Sequence, residues 1–253
     1  KVVDFQDRAF GALYLARLDS VRRALPPAAG ETTEAAVLVS LARGLANWMA
    51  YDDIIRVAEL KTRPDRFARI REEAQAGADE PLRVTDYFRP GVEEVAAVLP
   101  SFLARPLLAW ARRDPRRADR RLGLRIRATS VPGYLLLRLL ARMRVFRRLG
   151  HRFGQERAAI ERWLGAVGRA AGLDAELALE IAECAALIRG YGETHDRGRE
   201  RFERIFAAVV TPGLASGGKI AELRHRVQAA RRAASEDPEG RALDQLIEPR
   251  AAE

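Results

Sequence analysis

The stretch "LIRGYGETHDRGRERF", residues 187–202, gathers Tyr191, Thr194, His195 and Asp196 among three glycines, Gly190, Gly192 and Gly198. A histidine beside an aspartate, with hydroxyl groups close in sequence, is material for a small polar pocket in which Tyr191, Thr194 and His195 grip a ligand or a partner. The same residues also describe a bend between two helices. Gly190 supplies a positive φ, Gly192 lets the chain turn, and Thr194 caps the helix that follows. Both readings stay open on the residues alone.

Other spacings invite chemistry and then withhold it. "GLASGGK", Gly213–Lys219, has the form G-x-x-x-x-G-K of a phosphate-binding loop. Ile220 stands where a Ser or Thr should hold magnesium, and the preceding "FERIFAAVV" has helical rather than strand periodicity, so a glycine-rich hinge is expected. The three histidines, His151, His195 and His225, fall on separate expected helices, and no pair at i, i+4 offers a metal two ligands. Cys184, the single cysteine, sits on an apolar stripe as a small hydrophobe, and no orienting group accompanies a Cys184–His195 dyad. Asp52 and Asp53 are adjacent on an expected helix and point about 100° apart, so they cannot share a proton or clamp one metal. One is expected to face solvent and the other to meet an arginine.

Charge is concentrated in one place. Residues 112–152 hold fourteen arginines against Asp114 and Asp119, a net +12, whereas the rest of the chain carries 30 basic and 33 acidic side chains. Three readings fit: a solvated face, a docking surface for an acidic protein or a phosphate-bearing ligand, and a nucleic-acid surface. The belt has only Tyr134 and Phe146 as aromatics for stacking, so nucleic acid is not expected. Arg125, Arg127 and Ser130 precede the start of a helix, where backbone donors favour anions. We expect an anion or acidic side chain there.

The elements that must position these groups are helices. The chain has 253 residues, 48% of them hydrophobic and only 7% aromatic, and arginine outnumbers lysine 41 to 3. Composition and periodicity predict an all-α protein, an irregular bundle of about seven to nine helices with little or no sheet. Phe10, Tyr14, Leu18 and Val21 predict a helix over 4–25. Thr32 or Thr33 starts another that runs through "WMAYDDIIRVAEL" to the break at Pro64. Thr85 is expected to cap a turn through "DYFRP", and "LRIRATS" is the one extended stretch. Ser130 caps the apolar "VPGYLLLRLLARMRVFRRL", and Asp174 caps "AELALEIAECAALIR". The last helix is expected over 217–235.

These elements divide into an N-terminal helical half over 1–111, an arginine-rich linker over 112–130, and a C-terminal half over 131–235 with its hairpin at 189–194. A tail follows over 236–253, and the whole is expected to be one composite domain. One cysteine excludes a disulfide framework and fits a cytoplasmic location. No apolar run is long enough to span a membrane. The chain opens at Lys1 directly into "VVDFQDRAF", and we expect a piece of a longer polypeptide.

Four stretches carry a family resemblance: "MAYDDIIRVAELKTRPDRFARIREE", "VTDYFRPGVEEVAAVLP", "LRIRATSVPGYLLLRLLARMR" and "LALEIAECAALIRGYGETHDRGRERFERI". Together, over Phe5 to Phe206, they resemble the C-terminal helical region of the beta subunit of indolepyruvate ferredoxin oxidoreductase, a thiamine-dependent 2-oxoacid:ferredoxin oxidoreductase. The resemblance implies a place beside the chemistry. Thiamine diphosphate, magnesium and iron–sulfur clusters would be held elsewhere in the parent complex, and none in this chain, which carries over no catalytic residue. Implied partners are the alpha subunit, the preceding α/β domain of the same subunit, and ferredoxin. A second reading is a stand-alone binding module for an anionic ligand such as coenzyme A, or for an acidic protein.

Overall fold

The computed structural model describes residues 1–26, 30–77, 79–118, 121–190, 192–237 and 239–247. The helices in chain order are α1 (Val2–Phe5), α2 (Arg8–Arg22), α3 (Glu31–Met49), α4 (Ile54–Lys61), α5 (Pro64–Glu73), α6 (Val92–Val98), α7 (Ser101–Arg112), α8 (Pro115–Ala118), α9 (Val131–Arg142), α10 (His151–Ala171), α11 (Ala175–Glu183), α12 (Glu193–Ile205), α13 (Thr211–Ser216), α14 (Ile220–Glu236) and α15 (Arg241–Ile247). Met143–Leu149 and Cys184–Leu187 tighten into 3-10 turns, and Phe206–Val210 widens into a π turn. The protein is an all-α irregular bundle. Its one sheet among the described residues is a two-stranded ribbon of β1 (Thr85–Phe88) and β2 (Leu124–Arg127).

The chain folds into two compact units, Lys1–Tyr51 with Arg157–Glu253, and Asp52–Glu156. The first unit holds the large core. Val37, Leu41, Leu45 and Trp48 recur along one side of α3 and are all buried. They meet the apolar side of α11, where Leu177 and Ile181 are fully buried. Gly44 makes the approach possible, because a Cβ there would stand 2.9 Å from that of Ala185. Trp48 meets the Phe202 ring edge-on at 4.9 Å and the Trp163 ring at 5.7 Å, and Phe202 stacks on Phe206. The buried indole N–H of Trp163 donates to the Ile181 carbonyl at 2.9 Å, so its polar atom is satisfied. Glu180, buried on α11, accepts from Gln228 and Arg231 of α14 at 2.7 and 2.8 Å. Residues 241–247 of the expected tail form α15, whose Leu243 is fully buried.

The second unit is smaller and is held together by charge as well as apolar contact. Ala58, Ile126, Ala128 and Leu137 form its buried cluster, with Phe67, Val84, Phe88 and Leu140 packed around it. The strands pair antiparallel, Asp86 opposite Ile126 and Tyr87 opposite Arg125. Period-2 alternation therefore puts Asp86 and Ile126 inside, with Tyr87 and Arg125 outside.

The structure corrects several local expectations. The helix expected over 4–25 is split, because Asp7 caps α2 by accepting from the Phe10 N–H at 2.8 Å. The long helix expected to run to Pro64 breaks at Ala50–Asp53, where the Asp53 carboxylate takes the Arg56 N–H at 2.6 Å and starts α4. Short aspartate side chains compete for backbone donors in this way. "TDYF" is a strand rather than a capped turn, since "LRIR" offers it a ladder. The last long helix starts at Ile220, after Gly217 ends α13 in the left-handed conformation.

Candidate functional site

Arg125, Arg127 and Ser130 lie together at the join of β2 and α9. Ser130 caps α9 as the sequence predicts. Its hydroxyl accepts from the Gly133 N–H at 3.3 Å and donates to the Arg127 carbonyl at 2.7 Å. Gly133 is required by this geometry, because a Cβ there would lie 2.2 Å from the Arg127 carbonyl oxygen. The Arg125 guanidinium lies over the exposed Tyr87 ring at 5.6 Å. The Ser130 hydroxyl therefore holds the turn, while Arg125 rests on an aromatic face with the in-plane N–H donors of its guanidinium left for an acceptor.

Beside this turn lies an open depression of about 390 Å³ lined by Phe67, Ala128, Thr129, Ser130, Val131, Tyr134 and Leu135. Its walls are mainly hydrocarbon. It continues into the exposed face of α9, where Val131, Leu135 and Leu139 are 74%, 59% and 64% exposed. Of the 21 exposed large apolar side chains among the described residues, 15 belong to Asp52–Glu156, Phe102 and Phe146 among them. Scattered exposed leucines are ordinary, but a run along one helix face beside a recess is not.

The hairpin motif resolves differently. Gly190 and Gly192 both have positive φ, as a tight reversal requires. α12 begins at Glu193 behind Gly192, so Thr194 is an exposed first-turn residue and not the cap. His195 is 5% exposed, with Nδ1 3.4 Å from the Asp196 carboxylate. Tyr191 lies outside the described residues, as do Asp119 and Arg120 of the belt. Gly198 lets α12 press on the preceding turn, since a Cβ there would stand 2.1 Å from the Leu187 carbonyl oxygen.

Of the remaining reactive side chains, some are packed and others stand exposed. Burial pushes the Cys184 thiol up to about 12, and its sulfur donates to the Glu180 carbonyl. A thiol so placed is no nucleophile at neutral pH. Asp52 is exposed, while Asp53 is buried against Arg147, whose Nε and NH2 donate to its two oxygens at 2.7 and 3.1 Å. His151 faces Ser101 at 3.2 Å, and His225 is exposed. "GLASGGK" runs from helix α13 through left-handed Gly217, preceded by a π turn where a phosphate loop needs a strand. Among the described residues no group of three or more His, Cys, Asp or Glu side chains is placed to hold a metal ion, and no helix is long and apolar enough to cross a membrane.

Sequence reasoning placed the basic stretch but missed its apolar partner surface. The signal was present. Residues 120–155 contain no Asp or Glu, and "VPGYLLLRLLAR" has more apolar residues than one helix face can bury. Residues 1–208 match the model of a family described as a family of unknown function, DUF6537. No curated protein and no solved structure matches the chain.

Proposed function

The chain belongs to the DUF6537 family, and from the four stretches quoted above we propose that it is a non-catalytic assembly domain of a thiamine-dependent oxidoreductase. The parent enzyme would act in the cytoplasm on indolepyruvate or a related aryl 2-oxoacid, with ferredoxin as acceptor. The observation that carries this reading is the apolar surface of Asp52–Glu156, rich in side chains such as Phe102, Val131, Leu135 and Phe146 that pack on nothing within their own unit strongly enough to be covered. A surface of that kind supports association with other polypeptides. The natural candidates are the α/β domain that precedes this region in the resembled subunit and the alpha subunit.

A single cysteine does not fit an iron–sulfur cluster of such an enzyme. A four-thiolate iron–sulfur cluster needs four cysteines, and the chain has Cys184 alone, buried and protonated at neutral pH. In this reading the clusters belong to other parts of the complex, as the resemblance implies for thiamine diphosphate and magnesium, and the helices here frame or shield them.

The test is co-expression with the α/β segment encoded upstream and with an alpha subunit from the same genome. Co-purification of the three, 2-oxoacid-dependent reduction of ferredoxin by the complex, and no turnover by this chain alone are expected. Robust 2-oxoacid oxidation by the chain alone overturns the assembly role, and so does a complex that forms and works equally well without it.

A further inference from the structure

We propose that the exposed face of α9, together with the depression at its N-terminal end, docks an apolar helix or ridge of a different polypeptide whose borders are lined with Asp and Glu. The inference rests on the assembly reading and adds to it a location and a partner chemistry.

Three observations converge. The first is shape. Val131 and Leu135 belong both to the exposed face and to the wall of the recess, so a ridge lying along α9 would place one large side chain between Phe67 and Tyr134. Buried anchors of this kind supply most of an interface's energy. The second is pattern. At 100° per residue Val131, Leu135 and Leu139 share one arc of the helix, on the side away from the buried Leu137 and Ala141. A solvent face at these positions would carry mixed charge. The third is charge. Arg138 and Arg142 fall on the same arc, both exposed, and neither makes an ion pair with a described residue. No carboxylate occurs anywhere between residues 120 and 155 to offset them.

Charge also discriminates between occupants. A second copy would bring the same arginine-bearing face of α9, a helix with no carboxylate of its own, against itself, which a two-fold interface relieves poorly. An anionic bilayer would satisfy the arginines and the leucines, but it offers no knob for a recess. A foreign apolar ridge edged with carboxylates satisfies the recess, the leucines and the arginines together.

The probe is a pair of helical peptides with the same Leu and Phe positions, one flanked by Glu and one by Lys, titrated against the full chain by fluorescence anisotropy. The Glu peptide is expected to bind at least about tenfold more tightly than the Lys peptide at low salt, with the gap narrowing as salt rises. Leu135→Glu/Leu139→Glu should weaken the Glu peptide at least about tenfold with helicity and melting unchanged, because both side chains are exposed. Arg138→Glu/Arg142→Glu should reverse the preference between the two peptides. Equal binding of both peptides, or indifference to these variants, overturns the proposal. Binding to phosphatidylglycerol vesicles that the leucine variants abolish, without binding of the Glu peptide, assigns the face to lipid instead. Concentration-dependent dimerisation abolished by the same variants assigns it to a second copy. If the chain co-purifies with the upstream domain regardless of Leu135 and Leu139, the docking site falls and the assembly reading stands. If the Glu peptide binds as described but nothing co-purifies, the reverse holds.

Discussion

Replacing Arg147 by Ala should be among the most destabilising single changes in the Asp52–Glu156 unit. Arg147 and Asp53 are 2% and 5% exposed, and two hydrogen bonds of 2.7 and 3.1 Å join them across 94 residues of sequence. Truncating the arginine leaves a buried carboxylate whose charge has lost its partner, which costs about 3–5 kcal/mol. Asp53 still caps α4 through the Arg56 N–H, so that helix should persist. Arg147 makes contacts besides this one, so a cycle with Asp53→Asn is needed to isolate the pair. Asparagine keeps an oxygen for the cap and removes the charge. The double variant Asp53→Asn/Arg147→Met should therefore be more stable than Arg147→Met alone, with a coupling energy of about 1.5 kcal/mol or more. Urea unfolding followed by circular dichroism, with hydrogen exchange read on the amides of α4 and Met143–Leu149, measures both quantities. A loss below about 1 kcal/mol for Arg147→Ala, or additive effects in the cycle, would refute the claim that this pair organises the unit.

Four further outcomes are expected. Gly198→Ala should destabilise by about 1–3 kcal/mol or more in thermal melts, since its methyl would meet the Leu187 carbonyl, whereas Gly165→Ala in open space on α10 should stabilise by about 0.4–1 kcal/mol. Cys184 should be silent to iodoacetamide at pH 8 in the native protein and react on unfolding. Its thiol ionises near 12 when folded and near 9 in the reference state, about a thousandfold less thiolate. The same shift means that stability contributed by Cys184 is complete below about pH 9 and is lost as pH rises toward about 12. His195→Ala should lower stability by about 1–3 kcal/mol, because the ring is buried, while leaving assembly and activity of the proposed parent enzyme intact; Thr194→Ala should change stability by less than about 0.5 kcal/mol. Loss of activity in a folded His195→Ala enzyme would instead support a working polar pocket at the hairpin. Arg125→Ala/Arg127→Ala should weaken partner binding at low salt, as an anion or acidic side chain at the start of α9 requires; unchanged binding would remove that site.

Much of the local structure was legible in the residues. Ser130 and Asp174 cap α9 and α11, Pro64 opens α5, Gly190 adopts positive φ, and "LRIR" is extended. These features follow from short-range chemistry: an oxygen that reaches a free N–H, a ring that fixes φ, a missing Cβ. The expectation that one of Asp52 and Asp53 meets an arginine and the other faces solvent was also sound, although both stand in the break between α3 and α4 and not within a helix. What lay beyond reach depended on which distant segments meet. The partner of Asp53, Arg147, stands 94 residues away in sequence, and no local pattern names it. The pairing of "TDYF" with "LRIR" made a strand of a segment whose own residues also permit a turn. Residues 1–51 pack with 157–253 into one unit and residues 52–156 form another, a division that no local pattern encodes. Above all, composition showed that α9 is apolar and flanked by arginine, but not that its leucines would stay in solvent. Apolar periodicity records only that a face avoids water; whether its own fold or another molecule covers it is decided by the packing of the whole chain.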